Sequence, residues 1–238
     1  MLDVMCGRFA VDRDLDELAA IYGATPVDQV HWEPSWNLKP TQSIPVILES
    51  AAGEAEVVRR AAIARWSLTP IWSKTLATRF STFNARIESV TEKASFKSSV
   101  KSRRAIVPAA GYYEWTTKAG IKQPHYIHLP EGEPLALAGL YSWWADPAAA
   151  KDTDTRWHLT VTMLTCDAVQ TIADVHDREP VPLPADLWDD WLNPQVEGDQ
   201  EFLGEAVQAS LPIAARLIHH QVAPLKGDGS HLIEPTRT

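Results

Sequence analysis

The chain has 238 residues, 45% of them hydrophobic and 22% charged, with a net charge of −9. That is the composition of a globular protein long enough to bury a real core, and with no composition break or linker it reads as one domain over residues 1–238. No apolar run approaches the ~20 residues of a membrane helix, the N-terminus lacks the apolar stretch of a signal peptide, and only two cysteines, Cys6 and Cys166, point to a reduced, cytoplasmic protein rather than a disulfide scaffold.

In chain order, Cys6–Val11 reads as a short strand. Asp14–Tyr22 carries Leu15, Leu18, Ala19 and Tyr22 at helical spacing and stops before Gly23, a predicted C-cap. A Trp- and Pro-rich loop runs from His31 to Gln42. Ile44–Glu49 and Glu56–Leu68 read as strands split by a turn at Ala52-Gly53. Glu88–Val100 reads as a helix. Arg104–Val107, Gly111–Thr116, Pro124–Leu129, Leu135–Trp143 and Trp157–Thr165 are five further strands, the last alternating as a half-buried strand does. Cys166–Asp174, Asp186–Leu192 and Glu201–Ser210 read as helices, and Arg216–Val222 as a final strand. Strands in succession with helices gathered at a few places predict an α+β fold built on a mostly antiparallel, curved, barrel-like sheet with peripheral helices.

The charge is unevenly spread. Residues 146–210 hold 14 acids and 3 bases, so the remainder is net positive, and Lys93, Lys97, Lys101, Arg103 and Arg104 follow one another with no acid between. A basic stretch of this kind is either a solvated face or a phosphate-binding one. No Walker A loop, G-x-G-x-x-G, H-E-x-x-H or C-x-x-C is present, and the eight histidines are scattered, so neither a metal nor an organic cofactor is expected.

Four segments carry residues suited to chemistry. In Met5-Cys6-Gly7-Arg8, a chain that begins at Met5 and loses it would start with Cys6, a 1,2-aminothiol; Met1–Val4 are then an extension or a processed segment. An α-amine has a reference pKa of about 7.7–8.0, so it can attack an aldehyde near neutral pH, and the thiol can then close a ring. Asn84-Ala85-Arg86 places an amide and a guanidinium on one face of an extended segment. Glu114 lies in the aromatic run Gly111–Trp115, where desolvation would suit it to proton transfer. His176 follows a predicted helix end and adds an imidazole. Each has a plain alternative: Cys6 as a small buried hydrophobe, Asn84 as a turn residue, Glu114 as an arginine's partner, His176 as a helix cap. Trp66, Trp72 and Trp115 lie near these segments and are candidates to stack unpaired bases.

Together the segments resemble the SRAP family, the SOS-response-associated peptidases that shield abasic sites. The resemblance runs from Met5 to about Pro235 and includes Cys6–Phe9, Trp36–Gln42, Phe83–Glu88, Arg103–Ile106, Gly111–Trp115, His176–Pro180 and Leu232–Pro235. It departs at Lys39, where a small residue is usual, and in Val222–Asp228, which lacks an expected asparagine. The resemblance implies a monomer that crosslinks covalently to abasic sites in single-stranded DNA without a cofactor. Cys6 would be the nucleophile through amine and thiol, Glu114 and His176 would move protons, and Asn84 would orient the sugar or Cys6. Arg8, Arg86 and Arg104 would hold phosphates, with Asn37 and Trp72 lining the strand. Two other readings stand beside it: a cysteine (auto)peptidase using Cys6, His176 and Glu114, and a non-covalent single-strand binding module.

Overall fold

A computed structural model describes residues 7–27, 31–50, 56–151, 153–169 and 171–236. Strand β1 (Phe9–Val11) has three buried side chains in a row. Helix α1 (Leu15–Tyr22) starts at a capping box, in which the Glu17 N–H donates to Asp14 at 2.8 Å and the Asp14 N–H donates to Glu17 at 3.0 Å. It ends at Gly23 in the left-handed region, φ 60°. Its buried residues are Leu15, Leu18, Ala19 and Tyr22, as their spacing predicts. β2 (Thr25–Pro26) follows, then β3 (Ser35–Leu38), a strand inside what the sequence reads as a loop. β4 (Ser43–Ser50) and β5 (Val58–Trp66) form the expected hairpin.

β6 (Asn84–Arg86) is short. The predicted helix over Glu88–Val100 is mostly turns, and only α2 (Lys97–Ser102) is helical. β7 (Arg104–Ala109), β8 (Gly111–Lys118), β9 (Ile121–His128), β10 (Leu135–Ala145) and β11 (Trp157–Asp167) come next. Cys166 and Asp167 therefore end a strand rather than open a helix, and turns occupy 171–175. β12 (Arg178–Pro180), α3 (Trp188–Leu192), α4 (Gln200–Ala214) and β13 (Ile218–Gln221) complete the chain.

The strands make an α+β fold in two layers. β11, β10, β7, β4 and β5 pair antiparallel in that order, and β5 closes onto β11 in parallel through Thr160↔Arg65 and Val161↔Trp66, giving a five-stranded barrel. β6 and β12 add to β11. A second, wholly antiparallel sheet runs β13-β9-β8-β1-β3. The chain passes from barrel to second sheet across Ala110 alone, whose N–H donates to the Ala10 carbonyl at 2.8 Å. Gly111 is required there. A Cβ would lie 2.5 Å from the Tyr126 ring and 2.6 Å from the Ile127 carbonyl oxygen.

Arg104 is fully buried at the start of β7. Its guanidinium donates to five backbone carbonyls: Trp191, Val100, Lys101, Asn193 and Val196, at 2.7–2.9 Å. It thus satisfies the end of α3, the last turn of α2 and the loop after α3 at once. Burial pulls its pKa down to about 10, which leaves it charged at neutral pH. Arg104→Met is expected to lower stability in urea by about 3–5 kcal/mol, because several carbonyls lose their donor together. A loss under about 1 kcal/mol would show that water replaces the guanidinium at no cost.

Candidate active site

β1 sets the frame of the site. Phe9 pairs with Tyr112 and Ala10 with Gly111 on β8, while Phe9 pairs with Leu38 of β3 on the other side. The Tyr113 N–H donates to the Arg8 carbonyl at 3.0 Å. Arg8 therefore lies opposite Tyr113, and one residue further along each strand come Gly7 and Glu114. Glu114 is buried. Cys6, bonded to Gly7, lies outside the described residues. Arg8 is half-buried, and burial lowers its pKa. Its Nη1 donates to Asn37 Oδ1 at 2.6 Å, and Asn37 Nδ2 donates to the Gly227 carbonyl at 2.7 Å. Asn37 is buried, so its side chain aims Arg8 rather than lining a strand of DNA.

Phe9 also fixes the position of β6. Its ring meets Trp66 edge-on at 4.9 Å, Trp66 meets Phe83 at 5.5 Å, and Trp66 Nε1 donates to the Phe83 carbonyl at 2.9 Å. Asn84 follows Phe83 directly and pairs with Met163 of β11. Ala85 is buried while Asn84 is half-buried and Arg86 exposed, so Asn84 and Arg86 share the outer face as their spacing predicts. Trp66 is wholly buried and Trp115 packs half-buried against Tyr113 and Tyr126, so neither is an exposed stacking surface.

His176 precedes β12 with 15% of its side chain exposed. Its Nδ1 accepts the Arg178 N–H at 3.0 Å and lies 3.1 Å from Asp177 Oδ1. The accepted bond places the lone pair on Nδ1, so the neutral ring carries its proton on Nε2. Arg178 clamps this segment to β6's extension. It donates to both oxygens of Glu88, at 2.7 and 2.8 Å, to Asp167, and to the Thr165 carbonyl at 2.8 Å. A fork-to-fork pair fixes angle as well as distance. It ties the segment of His176 to that of Asn84 across 90 residues of sequence, and no local pattern signals it.

A polar chain unforeseen in the sequence crosses from the His176 segment to the second sheet. Asp174 lies 3.5 Å from His219 Nε2, the two Nδ1 atoms of His219 and His125 are 3.3 Å apart, and His125 Nε2 is 3.1 Å from Thr116 Oγ1. These groups line a cavity of about 530 Å³. His125 is the cross-strand partner of Glu114, so the chain ends on the Glu114 face. Burial, then the neighbouring His219, lowers the pKa of His125. The signal in sequence was His219 at the edge strand, read there only as a scattered histidine.

The remaining expectations divide. Trp72 is 60% exposed on the loop between β5 and β6, beside a cavity of about 620 Å³ lined also by Lys74, Arg79 and Phe80. Arg104 is a correction: with all its donors spent on carbonyls and no exposed surface, it holds the fold and cannot reach a phosphate. Cys166 is buried and its thiol is pushed up to about 12, so it is no nucleophile. Among the described residues no group of three His, Cys, Asp or Glu could hold a metal ion.

Comparison with known proteins decides the lineage. The SOS response associated peptidase (SRAP) family matches residues 5–224. The chain belongs to the SRAP family. It is 32% identical over 209 residues to the abasic site processing protein YoqW of Bacillus subtilis (strain 168), covering 86% of this chain and 87% of that protein. It is 31% identical over 185 residues to the abasic site processing protein HMCES of Xenopus tropicalis, covering 67% of this chain and 53% of that protein. The fold matches the crystal structure of a Bacteroides thetaiotaomicron protein with a TM-score of 0.79 at 20% identity, over 98% of this chain and 100% of that one. No helix among the described residues is long and apolar enough to cross a membrane.

Within this SRAP chain Glu179 stands out. It faces Cys166 across β11–β12, is 1% exposed, and has the Val169 amide as its one polar support among the described residues. Burial pushes its pKa up to about 7, only partly offset by the Val169 amide. The folded pKa is raised, so the unfolded chain ionises first as pH climbs. Stability falls between the ordinary carboxylate range and pH 7, then levels, at a cost of about 3 kcal/mol. Glu179→Met, similar in length and apolar, is expected to raise the melting temperature at pH 8 and to gain far less at pH 5. An equal gain at both pH values would mean that packing, not charge, is relieved.

Proposed function

We propose that this protein processes abasic sites in single-stranded DNA by covalent crosslinking through Cys6. The observation that carries the reading is the register of β1 on β8, which, followed one residue at a time, sets Gly7, the residue bonded to Cys6, opposite the buried Glu114. The abasic deoxyribose in its open form presents an aldehyde at C1′. The Cys6 α-amine attacks that carbon, the oxygen leaves as water with a proton supplied from Glu114, and an imine results. The Cys6 thiol then adds to the imine carbon, its proton passes to the nitrogen, and a thiazolidine closes. One water is lost overall. His176 with its proton on Nε2 donates to the sugar oxygen as the ring opens, and Asn84 orients the sugar. Arg8, held by Asn37, and exposed Arg86 hold the flanking phosphates, and Trp72 stacks a neighbouring base. An unpaired strand needs no base to be flipped.

The reading requires Cys6 to carry a free α-amine. Intact mass after incubation with a single-stranded oligonucleotide holding one abasic site is expected to equal protein starting at Cys6 plus oligonucleotide less one water. Cys6→Ala keeps the α-amine but loses the thiol, so it should give no adduct that survives without reduction. Cys6→Ser should give one only after borohydride reduction, because imine forms without ring closure. Glu114→Gln should slow the adduct by roughly 10²–10⁴-fold. A thiol peptidase built from Cys6, His176 and Glu114 needs the thiolate alone, so acetylating the Cys6 amine would spare peptidase activity and abolish the crosslink. An acetylated protein that still crosslinks would overturn the proposal.

A further inference from the structure

The basic stretch at 93–104 is not absorbed by the site above. Arg104 at its end is structural, and Lys101 is paired with Glu197 at 2.6 Å. Lys93 and Lys97 are exposed. Arg103 lies beside a separate cavity of about 280 Å³, lined by Ser102, Arg103, Tyr141, Trp143, Ile71 and Pro194. Three observations there point to a ligand.

First, Arg103 is only partly spent. Its Nη2 donates to Ser98 at 2.8 Å, while its Nε–H is buried without an acceptor. A buried donor left unmade is costly, and an entering acceptor would recover that cost. Second, the walls suit a flat ring. Trp143 is 43% exposed and Ile71 60% exposed, whereas Tyr141 is buried, with its hydroxyl donating to the Glu49 carbonyl at 3.0 Å. A rigid, half-open aromatic next to a guanidinium is what stacks a nucleobase. Third, the cavity adjoins the residue proposed above to stack a base. Ile71 adjoins Trp72, and Trp157, also exposed with Arg156 5.0 Å from its ring, shares the face of Trp143 on the β10–β11 hairpin.

We infer that the cavity between Arg103 and Trp143 is a second nucleotide subsite, which takes a base of the same DNA strand beyond the abasic position while Lys93 and Lys97 follow its phosphates. The inference rests on the single-stranded DNA reading above. Its position fits one. Gly139 of β10 and Asn84 of β6 both pair with Met163, and Trp143 lies four residues further along β10, about 13 Å from the level of Asn84 at strand rise.

The test uses the full chain and fluorescent single strands of 5 and 15 nucleotides, each with a central tetrahydrofuran residue, an abasic mimic without an aldehyde. Anisotropy is read for the parent, Trp143→Ala and Arg103→Gln. Both variants are expected to bind the 15-mer roughly tenfold more weakly, the order of one lost base stack, with the 5-mer bound as by the parent. Adduct formation on a natural abasic 5-mer should be unchanged. Equal weakening on both lengths, or none on the 15-mer, would overturn the subsite. If the parent forms no adduct but the length contrast holds, crosslinking fails and the subsite stands.

Discussion

The site depends on one short stretch of backbone. β1 has three residues and none of their side chains reaches solvent. Because Phe9, Ala10 and Val11 must all be buried, the strand has to be covered on both faces, and it lies between β8 and β3 as well. A slip by one residue would exchange the clusters that Phe9 and Ala10 enter and draw Arg8 or Asp12 into the enclosed stretch. That constraint aims Gly7 and Arg8 along β8 toward Glu114. Through Phe9, Trp66 and Phe83 the same burial fixes where β6 begins, and with it Asn84. Hydrophobic packing at three residues thus positions groups that come from segments as far apart as residues 8, 84 and 114.

Charge is spent inside the molecule before any is offered outside. Arg104 serves five carbonyls, Arg178 serves Glu88 and Asp167, and Arg59 pairs with Glu49 and Asp189. Counting arginines therefore overstates the phosphate-binding face. Among the cations left outward are Arg86 on β6, Lys93 and Lys97, and Lys74 and Arg79 beside Trp72. The acids of 146–210 do some of the internal pairing: Asp167 meets Arg178, Asp189 meets Arg59 and Glu197 meets Lys101. An overall charge of −9 is thereby compatible with a cationic face, because sign is separated by element rather than averaged over the surface.

Much of this was legible in the sequence because local periodicity carried it. The apolar spacing and Gly23 of α1, the alternation in β11 and the apolar runs of β7 and β10 each have a local signal. What was not legible was decided by distant partners. β3 hides among Trp and Pro because its strand character comes from pairing with β1. Residues 88–96 have helical composition, but Glu88 is claimed by Arg178 and the segment turns instead. Arg104 and Arg103 are adjacent and chemically identical. Only the carbonyls of the loop after α3, about 90 residues downstream, make one of them structural. The hydrogen bond that joins Arg8 to Asn37, 29 residues apart, likewise has no local signal.

Stability and chemistry pull in opposite directions on the pH axis. Glu179, buried with only the Val169 amide in support, costs the fold stability as pH rises from the ordinary carboxylate range to about 7. An α-amine with a reference pKa of about 7.7–8.0 gains nucleophilic form as the solution becomes basic. The Nδ1 of His176, held as an acceptor by the Arg178 amide, keeps its proton-donating tautomer only while the β12 segment stays docked. Docking of that segment relies on Arg178, whose next residue is Glu179, so the carboxyl whose ionisation costs stability sits on the strand that positions the imidazole. The interval near neutrality, where Glu179 has just ionised and the amine is beginning to lose its proton, is where an intact β12 and a reactive amine coincide.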